Sequence, residues 1–476
     1  MAASDSPLRK PANYVIFFTS TPCYYVIFLH FFFMKRDCTK ELRQWKASVN
    51  RKPLILRGAR QTGKTHILRE FGASDYQRCH YFNFEQDSRL GTIFESDLHP
   101  QRILRDLETY ARTLIAPGMD LVFFDEIQAC PRALTALKYF HEQSADHHIA
   151  AAGSLLGVRM SQAPSFPVGK VDFLDLHPMT FFEFLDAVGA SGYRERLENP
   201  ERLEPLPEAL HLELIQLLRN YHLTGGMPEV VARHAAGADG ETCRSIQRGI
   251  LDSYTLDFAK HAPAADIPKL SLLWKSLPTQ LARENKKFLF SLVKHGARAR
   301  EYENALTWLE NAGLAHRCAL AMKPEIPLTA TTEASTFKIY ALDVGLLGAL
   351  AEVPPVALSG DISILGSHHG AFAENFAAQH LLALGQRTLH YWKNPTGDTE
   401  VDFLRQSGPE ILPLEIKAGT NVRSHSLGIY TMKFHPSVAL RASLQNLRLD
   451  GSILNIPLYA LPALPRMLDT LKQSRQ

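Results

Sequence analysis

At 476 residues the chain is too long for one ordinary core, and the usual domain size of about 100–200 residues points to roughly three modules. An apolar share of 45% against 21% charged excludes a fibrous or disordered chain, and a net charge of +3 leaves any nucleic-acid surface to local clusters. Cys23, Cys38, Cys79, Cys130, Cys243 and Cys318 show neither C-x-x-C nor Cys/His ligand spacing, so neither a disulfide framework nor a zinc site is expected, and a reducing, cytoplasmic compartment is.

Tyr14 to Phe33 form an aromatic, uncharged run of about membrane-spanning length. Thr19-Ser20-Thr21-Pro22 interrupt it, no small-residue cleavage site follows, and Met34 comes immediately after. Three readings stand: residues upstream of the true start at Met34, a real anchor with membrane contact, or a partner-binding extension. From Met34 to Trp45 an amphipathic helix is expected.

From Arg51 short apolar runs alternate with helical stretches, the pattern of a parallel sheet covered on both faces. The apolar run Pro53-Leu-Ile-Leu56 leads into Gly58-Ala-Arg-Gln-Thr-Gly63-Lys64-Thr65, which fits G-x-x-x-x-G-K-[ST]. A phosphate chain needs several backbone N–H groups converging on it, and glycines let the chain turn tightly enough while a helix N-terminus adds partial positive charge. Gly58, Ala59, Arg60, Gln61, Thr62, Gly63, Lys64, Thr65 and the following His66 are therefore expected around ATP. Lys64 would reach the outer phosphates, and Thr65 would place its hydroxyl on Mg²⁺.

Cys79–Phe84, Leu121–Phe124 and His147–Ala152 read as further strands, with a helix at Ile103–Leu114. The third strand ends in Asp125-Glu126, two carboxylates at a carboxyl strand end, where α/β sheets bind their ligands. Asp125 is expected in the Mg²⁺ shell and Glu126 on the attacking water. Ser154, after the fourth strand, either senses the γ-phosphate or caps the next turn. Arg159 and Lys170 are either trans-acting cations for a neighbouring subunit of a homo-oligomer or solvated surface charge.

Pro178–Leu185 and Pro207–Leu218 read as helices of a lid beside the nucleotide, punctuated by the turn Thr224-Gly-Gly-Met-Pro228. Lys286 to Leu347 then reads as helix, turn, longer helix and a two-stranded ribbon (Ala315–Leu320 and Thr336–Ala341), the order of a winged helix. Lys286, Lys287, Lys294, Arg298 and Arg300 give it a basic edge, while Glu301, Glu303 and Glu310 lie on the second helix. DNA binding and interdomain packing both fit.

In the last module Gly370–Leu382 is a helix bearing Glu374. Thr388–Trp392 and Thr399–Leu404 form a hairpin turning at Asn394–Asp398, and Ile411–Lys417 is the next strand. Alternation puts Glu400 and Asp402 on one face with Val401 and Phe403 on the other, and pairs Glu415 with Lys417. Such carboxylates bind hard cations, and the lysine can position a water. A solvated edge of paired charges is the competing reading.

These motifs, together with Phe124-Asp-Glu-Ile-Gln128, Gly153-Ser-Leu-Leu156, Phe166–Lys170, Leu223–Pro228, Phe337–Leu347, Tyr391-Trp392, Glu400–Phe403 and Glu415-Ile-Lys417, resemble a prokaryotic family of AAA-type P-loop ATPases from about Met34 to the C-terminus. The family's C-terminal domain has long been described as of unknown function. That domain is also similar to the PD-(D/E)xK nuclease fold, with Glu374, Asp402, Glu415 and Lys417 at matching positions. Residues 1–33, an apolar extension, lie outside the resemblance, which implies an α/β chain made of a P-loop ATPase domain (34–175), a helical lid (176–260), a winged helix (261–352) and a restriction-endonuclease-like domain (353–476). It implies ATP and Mg²⁺ as cofactors, Glu374, Asp402 and Glu415 as metal ligands, and Glu415 with Lys417 as catalytic residues. Two functions remain open: an ATP-dependent enzyme acting on DNA, or a nucleotide-switched regulator or scaffold whose nuclease-like domain does not cut.

Overall fold

The computed structural model describes residues 34–154, 158, 169–199, 203–283, 286–359, 368–395, 397, 399–419 and 425–474. The aromatic run at 14–33 and Arg159 lie outside them. Among the described residues no helix is long and apolar enough to cross a membrane.

The first half of the chain alternates as its apolar pattern requires: α1 (Cys38–Ala47), β1 (Leu54–Arg57), α2 (Lys64–Asp75), β2 (Arg78–Asn83), α3 (Pro100–Ala111), β3 (Asp120–Asp125), α4 (Pro131–Gln143), β4 (His148–Ala152) and β5 (Asp172–Asp175). The strands pair in parallel in the order β2-β3-β4-β1-β5. β3 and β4 are buried along their whole length, which their Val, Phe, Ile and Ala content permits on both faces. This order puts the carboxyl end of β1 beside that of β4, with β3 next in line, so the loop after β1 faces Asp125, Glu126 and Ser154. β5 was not expected. Its Asp-Phe-Leu-Asp sequence lacks an apolar run, and it holds to the sheet edge through the Leu176 N–H on the Arg57 carbonyl (2.7 Å) and an Arg57–Asp175 ion pair (2.8 Å).

A helical stretch follows: α5 (Phe181–Ala187), α6 (Ser191–Glu198), α7 (Glu208–Thr224), α8 (Pro228–Ala235), α9 (Gly240–His261), α10 (Ile267–Leu281), the single-turn α11 (Phe290–Val293) and α12 (Ala299–Asn311). Thr180 and Glu183 open α5 with a reciprocal capping box, satisfying two backbone donors that the first turn leaves free. Then come β6 (Ala315–Ala321), β7 (Thr332–Ala341), α13 (Val344–Leu350), α14 (Pro355–Ser359), α15 (His368–Ala383), β8 (Leu389–Lys393), β9 (Glu400–Ser407), β10 (Glu410–Ile416), α16 (His425–Phe434), β11 (Ala439–Ser443), β12 (Arg448–Asp450), β13 (Ile453–Pro457) and α17 (Leu464–Ser474).

The expected boundary at 352/353 falls inside one sheet. All eight strands from β6 to β13 belong together in the order β12-β13-β11-β10-β9-β8-β6-β7, because β6 pairs in parallel with β8 (Cys318 opposite Leu389, Leu320 opposite Tyr391). The ribbon read as a wing is thus also the rim of the C-terminal sheet. A second correction concerns β9. The pairing with β8 shifts register between His390 and Trp392, and Val401 and Phe403 join different apolar clusters, Val401 with Trp392 and Tyr430, Phe403 with Leu412 and Leu414. An extra residue in one strand breaks strict alternation, which is why a period of two misassigned them.

Candidate functional site

The loop between β1 and α2 is built for close backbone approach. A Cβ on Gly58 would stand 2.3 Å from the Leu176 carbonyl oxygen, and Gly63 caps α2 in the left-handed region at φ +95°. Lys64 folds back over the loop, donating to the carbonyls of Gly58 (3.0 Å) and Ala59 (2.7 Å). Burial lowers its ammonium to about 8 against the raising influence of Glu126 and Asp125. No carboxylate forms an ion pair with it among the described residues, so the charge stays available.

Thr65 donates its hydroxyl to both Asp125 oxygens, at 3.2 and 3.0 Å, and Tyr81 (2.8 Å) and Asn83 (3.3 Å) also donate to Asp125. Burial raises the Asp125 carboxyl, with these hydroxyls acting against it. Glu126 sits in left-handed backbone at φ +48°, an uncommon conformation for a non-glycine residue that aims the carboxylate toward β4. There it accepts the Ser154 hydroxyl at 3.1 Å, as well as Gln128. Lys64, Thr65, Asp125, Glu126 and Ser154 are thus brought together. Two loop neighbours turn away: the Arg60 side chain pairs with Asp257 on α9, and exposed His66 faces Glu70 one turn on (3.7 Å). Lys170 pairs with Glu142 at 3.0 Å, as a surface charge would.

Residues far away in sequence hold the loop from behind. Buried Arg36 donates to the Thr62 carbonyl (2.9 Å), the His177 carbonyl (2.7 Å) and Glu183 (3.0 Å). From α9, Tyr254 donates to the Arg60 carbonyl at 2.9 Å. The turn after α12 also lies against the loop, since a Cβ on Gly313 would be 3.6 Å from the Ala59 nitrogen.

In the C-terminal sheet the expected acids also converge, but around lysines. Glu374 pairs with Lys286 and accepts the Tyr340 hydroxyl at 3.0 Å. Lys338, in the middle of β7 and 1% exposed, reaches Glu400 at 2.5 Å, Asp402 at 3.4 Å and Glu374 at 3.9 Å. The other Asp402 oxygen accepts the Ile416 N–H (2.9 Å), and Glu415 holds Lys417 (2.7 Å) and Ser426 (3.0 Å). Burial pushes the Asp402 carboxyl up to about 8, with Glu374 and Glu415 adding to the shift. Burial would also raise Glu374, but Lys286, Lys338 and the hydrogen bonds from Lys286 and Tyr340 hold it below the usual range. Burial works against the Lys338 ammonium, yet Glu374, Asp402 and Glu400 hold it well above the ordinary lysine range.

The expected metal set of Glu374, Asp402 and Glu415 thus faces lysines in this structure. One buried oxygen, Glu415 Oε2, lacks a partner, but the oxygens of Glu374 and Asp402 are engaged by lysines, Tyr340 and a backbone N–H. Among the described residues no group of three or more His, Cys, Asp or Glu is arranged to hold a metal ion. Ammonium groups, of Lys286 and Lys338 on Glu374 and of Lys417 on Glu415, supply the positive charge that the buried carboxylates require. Lys286 is likewise removed from the basic edge, whereas Lys287, Lys294, Arg298 and Arg300 are exposed. Lys338 and Tyr340 were missed as site residues; a lysine inside the apolar run Phe337-Lys-Ile-Tyr-Ala-Leu342 was the available signal, because a buried charge demands partners.

Residues 50–185 match the family described as AAA domain. This segment is thus similar to AAA-type P-loop domains. Residues 215–357 match a domain of unknown function (DUF8612), and 369–461 match another (DUF4143). No curated protein matches. Among solved structures, the Walker-type ATPase PABY2304 of Pyrococcus abyssi is 15% identical over 66% of this chain and 95% of its own, with a TM-score of 0.44. The Aeropyrum pernix ORC1 protein in complex with DNA is 14% identical over 68% and 94%, with a TM-score of 0.27. Drosophila ORC bound to DNA is 15% identical over 66% and 93%, with a TM-score of 0.26. These are loose likenesses.

One helix touches both the segment 50–185 and the charge cluster. From α15, Glu374 faces Lys338, Asn375 bridges the Ala341 backbone (2.8 and 3.2 Å), and Gln379 accepts from the Val344 N–H (3.1 Å) and donates to Tyr221 (2.8 Å). His380 accepts the Phe181 N–H at 2.8 Å, in the first turn of α5, where Glu183 holds Arg36. Arg36 in turn holds the Thr62 carbonyl, so hydrogen bonds and one helix link the phosphate loop to the cluster.

Proposed function

We propose that the protein binds Mg-ATP at the loop 58–65 and hydrolyses it, a reading carried by one observation: Lys64, the Thr65–Asp125 pair and the Glu126–Ser154 pair meet beyond the carboxyl ends of adjacent strands. The residues fit the group. The backbone N–H groups of the loop and of the first turn of α2 would hold the phosphates. Lys64 would leave the Gly58 and Ala59 carbonyls for the outer phosphate oxygens, a move that costs little because it exchanges neutral acceptors for anionic ones. Thr65 and Asp125 would hold Mg²⁺, which supplies charge neutralisation on the phosphate oxygens. Glu126 would orient a water toward the γ-phosphorus and receive its proton as the bond to the bridging oxygen breaks. Ser154, on the same carboxylate, would register whether Glu126 has turned toward that water. The test is nucleotide binding and phosphate release with Lys64→Ala and Glu126→Gln: Lys64→Ala loses binding, and Glu126→Gln keeps it while losing turnover. A Lys64→Ala protein that binds ATP as well as the parent refutes the assignment.

The wider role is read as nucleotide-switched regulation or scaffolding, with the nuclease-like module non-catalytic. The lysine-filled acid cluster favours this over DNA cleavage. DNA contact through Lys287, Lys294, Arg298 and Arg300 is compatible with either role, and fluorescence anisotropy with a duplex, with all four changed to Gln, tests it. Mg²⁺-dependent cleavage of DNA by the parent protein would restore the nuclease reading.

A further inference from the structure

On the C-terminal sheet, at the end of the β8–β9 hairpin remote from the acid cluster, a cavity of about 320 Å³ lies between the loop after α15, the second half of β9 and the segment 327–329. Its lining includes Arg387, Arg405, His390, Gln386, Thr388 and Thr329 and contains no Asp or Glu among the described residues. Neither guanidinium makes a hydrogen bond or ion pair with another described residue, unlike Arg102, Arg194 and Arg317, each of which is paired with two or more carboxylates. Arg405 is half-buried, and burial alone lowers its guanidinium, with no carboxylate to raise it. Desolvating a cation without a partner is costly, so an uncompensated arginine in a recess calls for an anion. The pocket also presents an acceptor. Gln386 donates to the Thr388 and Leu404 carbonyls (3.2 and 3.0 Å), which fixes its amide, and its buried Oε1 has no partner.

We propose that this cavity binds a small phosphorylated ligand of mononucleotide size. Arg405 and Arg387 would grip the phosphate oxygens, for which the planar fork of guanidinium donors is suited. Gln386 Oε1 would accept a hydroxyl or amino hydrogen from the rest of the ligand. The volume lies at the low end for small-molecule sites, which suits one nucleotide and excludes a duplex. Neutral His390, whose ring burial lowers while the Thr388 backbone raises it, supplies wall and hydrogen bonding rather than charge.

The ligand's source is tested with two probes on the full chain, inorganic phosphate and cytidine 5′-monophosphate, by titration calorimetry at low salt. Both are expected to compete for one site, the nucleotide binding more tightly. Lys64→Ala, which disables the phosphate loop, leaves this binding in place, whereas Arg405→Gln weakens it about tenfold or more. Arg405→Lys recovers only part of the loss because the fork is missing, and exposed Arg387→Gln, which cannot disturb the core, also weakens it. Absence of saturable binding by either probe overturns the proposal. So does binding unaffected by Arg387→Gln and Arg405→Gln together, cytidine binding as tightly as its phosphate, or binding confined to an oligonucleotide.

Discussion

Two clusters in this molecule use the same side chains to opposite ends. In the phosphate loop Lys64 hydrogen-bonds two carbonyls and lies near, but unpaired with, Asp125 and Glu126. In the C-terminal sheet Lys338 is ringed by Glu374, Glu400 and Asp402, and Lys286 takes up a further Glu374 oxygen. The first lysine has a charge to offer a ligand. The second has its charge fully engaged in holding the protein together. Residue identity is thus a poor guide to a site unless the neutralising partner is also known, because carboxylates in low dielectric bind whichever cation the fold delivers.

The largest effect is expected where the second cluster is broken. Lys338→Met leaves Glu374, Glu400 and Asp402 without their shared cation and should cost about 3–5 kcal/mol of stability, measured by urea denaturation. If the ammonium stands where a metal would, Mg²⁺ or Mn²⁺ should raise the melting temperature of this variant and leave the parent unchanged. A variant as stable as the parent would show that the cluster is not held by charge.

In the first cluster the corresponding test is kinetic. Glu126→Gln keeps the shape of the side chain and its contact with Ser154 but cannot take a proton. Phosphate release should fall about a hundredfold or more with ATP affinity within about threefold of the parent. A proportionate loss of affinity would mean that Glu126 serves binding and not the water.

How much of this was legible in the sequence divides along the same line. The phosphate loop is contiguous, and its geometry depends on local backbone rules, so Gly58 through Thr65 could be read in one pass. Glu415 and Lys417 were readable because strand alternation is also local, whereas the register shift in β9 beside Asp402 leaves no such signal. Lys338 was not, because its partners lie 36 to 64 residues further on and the ribbon carrying it was assigned to another module. Only the pairing of β6 with β8 makes that ribbon part of the same sheet, and parallel partners separated by a crossover leave no turn signal. A fragment beginning near Leu358 would omit β6, β7 and Lys338. Arg36 and Tyr254 escaped notice for the same reason: each supports the loop from a distant element.

A smaller effect should appear with pH. Burial and the neighbouring acids raise Asp402 above the ordinary carboxylate range, so the folded state holds a proton there that the unfolded chain has released. The stability contributed by this group is complete below the ordinary aspartate range and is lost as pH rises through about 8. The melting temperature should therefore decline as pH rises from the ordinary aspartate range to about 8 and level off above it, and Asp402→Asn should flatten that decline. An unchanged slope in Asp402→Asn would remove Asp402 as its source.

The smallest expected effect concerns the support of the phosphate loop from α9. Tyr254 is buried and donates to the Arg60 carbonyl at 2.9 Å, a single hydrogen bond between two elements that must keep their spacing when phosphate enters. Tyr254→Phe retains the ring and its edge contact with Trp274, so packing is conserved and only the donor is lost. The cost in stability should be about 1 kcal/mol, in the usual range for one such bond. If the loop is held in its binding shape from behind, nucleotide affinity should drop about two- to fivefold with turnover at saturation unchanged, since the bond precedes chemistry and is the same before and during it. Equal losses in affinity and turnover would instead place the α9 contact in the hydrolytic step. No change in affinity would mean that Arg36, on the adjacent Thr62 carbonyl, suffices to hold the loop.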